Sequence, residues 1–318
     1  MDCLYIIVPC LNEEDALPIT SKILKNKLES LIKANKIAKT SKIVFVNDGS
    51  TDSTWEIIKN LHESSNIFSG INLSRNRGHQ NALLCGLLTM KEYCDFTISI
   101  DADLQDDVNT IDIMVDKYIN GCDIVYGVRN NRDSDSFFKK VSAKYFYKLM
   151  NFFGAESVYN HADFRLLSKR ALNALAEFKE YNLFIRGLIP MIGYKSDIVF
   201  YTRSKRIAGK SKYSIKKMVS FACEGITSIN IKPIRFITYI GFLMFIASIA
   251  MLIYVLIRFF SNQTIVGWSS LIVSVWGIGS LILIAIGIIG EYIGKIYLET
   301  KQRPRFIVDS IIHSNNPD

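Results

Sequence analysis

Two long uncharged segments near the carboxyl end constrain the fold of this chain more than any other feature. Residues 236–257 carry no charge over 22 positions, and as a helix they would cover about 33 Å, against about 30 Å for a bilayer's hydrocarbon core. Residues 268–289 form a second uncharged segment. Neither segment has a polar face, which argues against two buried helices of a soluble domain. The pattern therefore predicts two transmembrane helices joined by a short polar loop at residues 261–264.

The distribution of charge follows the same division. The 318 residues carry 38 Lys and Arg against 30 Asp and Glu, a formal net charge of +8. Residues 1–200 have 24 basic and 25 acidic side chains, whereas residues 201–318 have 14 and 5. The basic residues flank the two segments, and only Arg258 adjoins the loop, so the positive-inside rule predicts that both termini are cytoplasmic. Membrane anchoring explains this placement better than nucleic-acid binding, and we expect no nucleic-acid partner.

These patterns divide the chain into four parts. Residues 1–213 are expected to form a cytoplasmic domain, 214–232 an amphipathic helix at the membrane interface, 233–292 a two-helix transmembrane hairpin and 293–318 a cytoplasmic tail. The first residues have no basic stretch and no cleavage pattern, so no signal peptide is expected. The six cysteines are scattered without a CxxC pair, which is typical of free thiols in a reducing compartment.

The first 200 residues alternate between strand-like and helix-like patterns. The strand candidates are residues 4–8, 42–46, 70–73, 96–100 and 123–126. A helix is expected at residues 53–64, with Ser53 as its N-cap and Glu56 completing a capping box. Strands separated by helical connections predict an α/β domain with a mainly parallel sheet. In such sheets ligands bind beyond the carboxyl ends of the strands.

Three of the predicted strands are followed by polar clusters, in the sequences PCLNEE, VNDGSTD and IDADLQDD. In the third, Asp101 and Asp103 lie two positions apart on extended chain and point the same way, which is unfavourable unless a cation lies between them. Mg²⁺ often takes one or two carboxylates plus substrate phosphates. Acidic turns also occur as helix caps, so the prediction depends on all three clusters together. The chain has no GxGxxG and no GxxxxGK[ST] sequence.

Seven sequences together resemble a known family. They are PCLNEE, VNDGSTD, LSRNRGHQNAL, IDADLQDD, VYGVR, HADFRLLSKR and RIAGKSKY. They are similar to the nucleotide-sugar-dependent glycosyltransferases of family 2, which have the GT-A fold. Within that family they most resemble the polyprenyl-phosphate glycosyltransferases, namely bactoprenol glucosyltransferases and dolichyl-phosphate mannose synthases. The resemblance covers roughly residues 4 to 305.

The resemblance implies roles for individual residues. Asp163 and Asp103 would be catalytic, and Asp101 and Asp103 would hold a metal ion, Mg²⁺ or Mn²⁺, with the diphosphate. The nucleotide-sugar would also contact Pro9, Asn12, Glu14, Asp48, Gln105, Arg206 and Lys212. The acceptor phosphate would contact Arg129, Lys140 and Ser142. The chain departs from the family at Asp107, where Pro is common, and at residues 161–162, where an aromatic-polar pair is more usual.

The implied reaction is an inverting, metal-dependent transfer of a hexose from a nucleotide-sugar to a polyprenyl phosphate. UDP-glucose is the expected donor, with N-acetylhexosamine, 4-amino-arabinose and GDP-mannose donors as alternatives. The resemblance makes Asp163 the usual candidate for a catalytic base. A phosphate monoester is largely dianionic at neutral pH and hardly needs deprotonation, so the alternative is that Asp163 positions the sugar or stabilises positive charge at the anomeric carbon. A processive polysaccharide synthase is disfavoured because no QxxRW-like sequence occurs. A non-enzymatic membrane scaffold would leave the three polar clusters unexplained. A homo-oligomer that assembles through the two predicted spans is a further expectation.

Overall fold

The centre of the protein is an eight-stranded mixed sheet. A computed structural model describes residues 1–130, 161–180, 185–202 and 268–314, together with positions 239, 240, 243, 246 and 250. The strands are β1 Leu4–Cys10, β2 Lys42–Asn47, β3 Phe68–Leu73, β4 Phe96–Ser99, β5 Ile124–Arg129, β6 His161–Ser168, β7 Ser196–Tyr201 and β8 Val308–Ile312. The helices are α1 Leu17–Lys33, α2 Thr54–Ser64, α3 His79–Met90, α4 Thr110–Ile119, α5 Lys169–Glu177, α6 Ile185–Met191 and α7 Trp268–Thr300.

The strand order places the first half of the chain at the centre of the sheet. The order is β7-β5-β6-β4-β1-β2-β3-β8. Strand β1 pairs in parallel with β2 and β4, and β2 pairs in parallel with β3. Strand β6 runs antiparallel between β4 and β5, and β8 runs antiparallel along β3. Parallel pairs and helical connections are typical of an α/β domain, which confirms the predicted fold class for this part of the chain.

Helices cover both faces of the sheet. Along β1, Leu4, Ile6 and Val8 pack into a core with α1, α2 and α4, whereas Tyr5 and Ile7 pack into a second core with α3, α5 and α6. Strands buried on both faces become continuous hydrophobic runs instead of alternating ones, which is how these strands look in the sequence. The five cysteines in the described ranges are free thiols, as expected.

The structure confirms the five predicted strands and the predicted helix, with differences at their ends. It contradicts the capping box at the start of α2, because the Ser53 side chain accepts no cap hydrogen bond. Instead, the Thr54 N–H donates to Oδ1 of Asp52 at 3.0 Å. The Ser53 N–H donates to Oε2 of Glu14 at 3.0 Å. Glu56 pairs with Lys59. The carboxylates of Asp52 and Glu14 therefore accept the N–H groups at the start of α2, and the Ser53 side chain does not.

The last part of the chain returns to the sheet. The sequence pattern predicts only a tail after residue 293, but Val308–Ile312 form strand β8 and complete the sheet beside β3. The contact extends beyond the strand, since the Ser74 N–H donates to the Ile307 carbonyl at 3.0 Å and Ser69 Oγ lies 3.0 Å from Nδ1 of His313. The residues after α7 are therefore fixed to the α/β domain.

One helical segment in the described part of the chain is long and apolar enough to cross a membrane. It is Gly277–Thr300, with a mean hydropathy of 1.9 and none of its most apolar window buried. It belongs to α7, whose 33 residues correspond to about 50 Å. The helix begins where the second predicted span begins and continues past it to Thr300. The first predicted span, residues 236–257, and the predicted interfacial helix, residues 214–232, lie almost entirely outside the described residues.

Candidate active site

The sheet topology brings the three polar clusters to one edge. Because β1, β2 and β4 are parallel, the residues after each of them lie at the same edge of the sheet. Strand β1 places the buried Pro9 opposite Val46 of β2. The clusters that begin at Asn12, Asn47 and Asp101 therefore meet at the carboxyl edge, where α/β sheets bind ligands.

The first two clusters are hydrogen-bonded to each other. The Asn12 N–H donates to Oγ of Ser50 at 2.9 Å, and Oδ1 of Asn12 accepts the Thr51 N–H at 2.9 Å. Glu14 accepts the Ser53 N–H through its carboxylate. Asn12 has a positive φ of 52°, a conformation that asparagine tolerates better than most residues. These two exposed side chains thus hold the two loops together at the place where the nucleotide is predicted to bind.

Asp48 anchors a third loop. Its side chain is buried, and its two carboxylate oxygens accept the N–H groups of Arg77 at 2.7 Å and Gly78 at 2.9 Å. Burial raises the pKa of Asp48, and these two hydrogen bonds partly offset the increase. The Asp48 carboxylate therefore holds the loop that leads into α3. The direct contact between Asp48 and the nucleotide remains a prediction.

Gly49 allows the second and third loops to approach each other. It has a φ of +64°, and a Cβ atom at this position would lie 2.4 Å from the Asn76 nitrogen and 2.5 Å from the Arg75 carbonyl carbon. Only glycine combines a positive φ with so close a backbone approach at little cost. The glycine of the NDGS sequence is therefore required by local packing, whatever binds beside it.

The aspartates of the third cluster lie in a turn and not on the extended chain that the sequence predicts, because the Leu104 N–H donates to the Asp101 carbonyl oxygen at 3.3 Å. Asp101, Asp103 and Gln105 are partly exposed, whereas the alternating residues Ala102, Leu104 and Asp106 are buried. The Gln105 N–H donates to Oδ1 of Asp103 at 3.3 Å. Leu104 has a positive φ of 45°, which is rare for a branched residue and is typical of tightly constrained functional turns.

Asp163 reaches the same edge because β6 is antiparallel to β4. Ser99 pairs with Arg165 and Phe96 with Ser168, so the same register continued two residues beyond β4 brings Asp101 opposite Asp163. The Ser99 hydroxyl also donates to the Asp163 carbonyl oxygen. Two acidic residues that are 62 positions apart in the chain are thereby placed side by side.

Three cationic side chains surround the Asp163 carboxylate. Arg165, which is fully buried, donates from Nη2 to Oδ1 at 2.6 Å. Arg186 on α6 makes a two-pronged contact, with Nε 3.2 Å from Oδ1 and Nη2 2.9 Å from Oδ2. His79, the first residue of α3, lies between the two acidic residues, with Nε2 3.4 Å from Asp163 Oδ2 and 3.6 Å from Asp101 Oδ1.

These contacts determine the charge of the cluster. Burial alone would raise the pKa of Asp163, but the charges of Arg186 and Arg165 and the hydrogen bond from His79 hold it well below its usual range. Burial opposes the charged form of His79, yet its contact with Asp163 and the charge of Asp101 raise the pKa of His79 to about 9. Asp163 is therefore ionised at neutral pH, and cations already occupy its oxygens. A carboxylate in this state is a poor proton acceptor.

Arg129 lies at the same edge but on a neighbouring strand. It ends β5, and its Nε donates to the Tyr201 hydroxyl at 3.1 Å while Nη2 lies 3.4 Å from Oδ1 of Asp106. Tyr201 in turn donates to the same oxygen of Asp106 at 2.5 Å. The guanidinium is thus oriented by a buried carboxylate and a phenol, with about a quarter of the side chain exposed.

Sequence reasoning did not assign roles to His79, Arg165 and Arg186. The first two lie within quoted sequences, and Arg165 could have been found because it is two positions after Asp163 on the same strand and so faces the same way. Arg186 lies in an apolar stretch with no local signal. Four predicted site residues lie outside the described part of the chain: Lys140, Ser142, Arg206 and Lys212.

Asp101 and Asp103 suit a metal ion that a substrate helps to bind. In the ranges that the structure describes, no group of three or more His, Cys, Asp and Glu side chains could hold a metal ion alone. Two partly exposed carboxylates in one turn match the donor set of Mg²⁺ or Mn²⁺, which usually take their other ligands from water and phosphate oxygens. The residues present therefore fit such an ion only together with a phosphate ligand.

Comparison with known proteins supports the same family. Residues 5–176 match the model described as glycosyl transferase family 2. The chain is 50% identical over 306 residues to the uncharacterized glycosyltransferase YkoT of Bacillus subtilis (strain 168), covering 96% of this chain and 91% of that protein. It is 38% identical over 309 residues to the bactoprenol glucosyl transferase of Shigella phage SfX, covering 96% and 98%.

A solved structure also aligns with most of the chain. It is the mannosyltransferase PcManGT from Pyrobaculum calidifontis in complex with GDP-Man and Mn²⁺, with a TM-score of 0.43, 15% identity and coverage of 93% of this chain and 85% of that one. The family match and the full-length relatives carry the assignment. The chain belongs to glycosyltransferase family 2, and it is a glycosyltransferase.

Proposed function

We propose that the protein transfers a hexose, glucose from UDP-glucose, to a polyprenyl phosphate with inversion at the anomeric carbon. The observation that carries this proposal is the convergence of Asp101, Asp103 and the cation-bound Asp163 at the carboxyl edge of the sheet. Beside them lie the paired loops at Asn12 and Ser50. Such an edge offers one place for a diphosphate and an adjacent one for the sugar and its acceptor.

The lipid acceptor is supported by two independent features. The relative from Shigella phage SfX is named a bactoprenol glucosyl transferase, and the similarity covers nearly the whole of both chains. The exposed apolar helix α7 would keep the enzyme at the surface where a polyprenyl phosphate lies. Such an acceptor stays in the bilayer, because each buried CH₂ contributes about 0.8 kcal/mol.

The pairing of β8 with β3 supports two membrane crossings. Residues 308–312 must lie on the same side of any membrane as the α/β domain. A chain that leaves this domain after Tyr201 and returns through α7 therefore crosses an even number of times. Residues 236–257 form the other uncharged segment of sufficient length. With the basic flanks, this topology places the active site and both termini on the cytoplasmic face.

The proposed chemistry assigns separate tasks to the acidic residues. Asp101 and Asp103 would hold Mg²⁺ or Mn²⁺, which when bound supplies positive charge to the leaving diphosphate. Asp163 would orient the sugar and stabilise positive charge that develops at the anomeric carbon. The acceptor phosphate is largely dianionic near pH 7 and needs no base, which agrees with an Asp163 carboxylate already paired with arginine.

A donor panel tests this proposal. Membranes containing the protein would be incubated with undecaprenyl phosphate and labelled UDP-glucose, UDP-N-acetylglucosamine, UDP-4-amino-arabinose or GDP-mannose. We expect label in the lipid fraction with UDP-glucose. Preferential transfer from another donor would replace glucose while keeping the reaction class, and no transfer from any donor would reject a polyprenyl phosphate as the acceptor.

A further inference from the structure

Arg186 has features of a substrate-binding residue that no other side chain of the cluster combines. Arg165 is fully buried and already neutralises the buried side of Asp163, with Nη2 2.6 Å from Oδ1. Arg186 contacts the same carboxylate from the opposite element, α6, and about a third of its side chain is exposed. One carboxylate therefore has two arginine partners, of which only Arg186 reaches the surface of the site.

Because Asp163 contacts both Arg165 and Arg186, its contact with Arg186 can be given up for a contact between Arg186 and a ligand. Loss of the single cation beside a buried carboxylate would strongly destabilise the folded protein, because it leaves an uncompensated buried charge. Asp163 would not be left in that state, because Arg165 remains in place when Arg186 turns away. The guanidinium fork that fits a carboxylate also fits a phosphate, and phosphate carries more charge near neutral pH. An incoming phosphate can thus compete for Arg186 at little cost to Asp163.

Both carboxylates and cations lie around the place where such a phosphate would bind. Asp101 lies 3.6 Å from His79, which also contacts Asp163, so the edge of the site is lined by carboxylates as well as by cations. Carboxylates repel a phosphate dianion, so it can bind at this edge only next to cationic side chains. His79 is more than a third exposed and lies beside the same Asp163 oxygen that Arg186 contacts. The two side chains therefore lie next to each other and both are partly exposed at this edge.

We propose that Arg186, held by Asp163 before substrate arrives, binds a substrate phosphate during transfer, with His79 beside it. This inference rests on the proposed function, which supplies two phosphate-bearing substrates. The phosphate is either the diphosphate of the nucleotide-sugar or the phosphate of the polyprenyl acceptor. In the second case Arg186 joins Arg129, whose guanidinium is held by Asp106 and Tyr201.

Steady-state kinetics of Arg186→Ala and Arg186→Lys test the inference, with kcat and the two KM values measured separately. Hydrogen bonds to charged groups contribute about 1.5–3 kcal/mol, so Arg186→Ala should raise one KM by at least about tenfold. A change in the acceptor KM would assign the lipid phosphate, and a change in the donor KM the diphosphate. Arg186→Lys should recover part of the loss, because it keeps the charge without the fork.

Arg170→Ala is the matched control. Arg170 is an exposed arginine that lies over the Tyr194 ring and 3.6 Å from Asp123, and its removal should leave both KM values unchanged. If Arg186→Ala leaves both KM values within about twofold of wild type, the inference is wrong, and a loss of kcat alone would assign Arg186 to holding Asp163. Wild-type protein that forms no lipid-linked sugar would instead contradict the proposed function.

Discussion

At the scale of single residues, the charge of Asp163 depends on what surrounds it. Arg165, Arg186 and His79 hold this carboxylate ionised, so the site has a fixed negative charge bounded by cations. The identity of Asp163 was predictable from its sequence context, because HADFRL resembles the family. Arg165 was also predictable, because it lies two positions after Asp163 on the same strand. Arg186 was not, since it comes from a helix that the chain reaches only after β6 and α5.

Replacement of Asp163 by asparagine separates positioning from proton transfer. The amide keeps the size and one acceptor oxygen for Arg165 but loses the charge, so Asp163→Asn should lower kcat at least about tenfold. Because the pKa of Asp163 is lowered in the folded protein, the stability that its charge contributes is present above the unfolded pKa of about 3.9 and is lost only as pH falls through the folded value. The loss of kcat should therefore be constant between about pH 6 and 8, where Asp163 is ionised and His79, whose pKa is raised to about 9, is still protonated.

The measurement is kcat against pH for both proteins, with thermal unfolding to confirm that the variant is folded. A loss smaller than tenfold would contradict a central role for Asp163. An acidic limb that is present in the wild-type profile and absent in the variant would show that Asp163 must lose a proton in this range, as a catalytic base does, against the present assignment.

At the scale of elements, strand β8 connects the carboxyl end of the apolar helix to the candidate nucleotide loops. Asp309 Oδ2 accepts from Asn72 Nδ2 at 3.0 Å, and Asn72 Oδ1 accepts from Asn47 Nδ2 at 2.7 Å. Asn47 Oδ1 then accepts the Ser50 N–H at 3.3 Å. A line of hydrogen bonds thus runs from the residues after α7 to the turn that contacts Asn12.

Removal of one hydrogen bond from this series should weaken binding of the nucleotide-sugar and leave binding of the lipid acceptor unchanged. Asp309→Ala removes the acceptor that orients Asn72, and one such hydrogen bond contributes about 1 kcal/mol. We expect the KM for the nucleotide-sugar to rise about fivefold while the acceptor KM stays unchanged. Asp309→Asn keeps an acceptor oxygen and should behave like wild type, as should Ile311→Val at an exposed position of the same strand. Equal changes in both KM values would instead indicate a general loss of structure.

Elements of the first 130 residues were largely predictable, and so was the apolar helix α7, but the other later elements were not. Strands β1, β2 and β4 are uninterrupted apolar runs with polar clusters at their ends, a local pattern visible without the fold. Strand β8 is short and alternates between half-buried and exposed residues, and it forms only because β3 offers an open edge. A pairing partner more than 230 positions away leaves no signal in the local sequence. The predicted N-cap of α2 was wrong for a related reason. The Ser53 N–H donates to Glu14, which belongs to a different loop and cannot be identified from the sequence around Ser53.

At the scale of the whole molecule, the proposed topology is a transmembrane hairpin. In this topology the chain leaves the α/β domain, crosses the membrane twice and returns to pair with β3. Cysteine labelling in intact cells with a membrane-impermeant maleimide tests it. Asn262→Cys, between the two uncharged segments, should be labelled from outside. Arg303→Cys, between α7 and β8, should react only after the cells are permeabilised, and the unaltered chain serves as the control. Labelling of Arg303→Cys in intact cells, or of Asn262→Cys only after permeabilisation, would contradict this topology.

Hydropathy and charge predict an α/β domain followed by two membrane spans, and of these the described residues contain the α/β domain and one apolar helix. The carboxyl edge was likewise expected to hold the site, since parallel strands place their ends together. What composition could not indicate is the return of the chain to β3, which joins the membrane-associated helix and the α/β domain into one structure.

Transfer by purified protein in lipid, with UDP-glucose labelled in the sugar, undecaprenyl phosphate and Mg²⁺ or Mn²⁺, tests the proposed reaction most directly. Wild-type protein should form one glucosyl phospholipid for each UDP released. Asp101→Ala and Asp103→Ala should abolish transfer while the thermal unfolding profile remains cooperative. UDP release without a lipid product, or near wild-type turnover in either aspartate variant with metal supplied, would contradict the proposed transfer at this edge of the sheet.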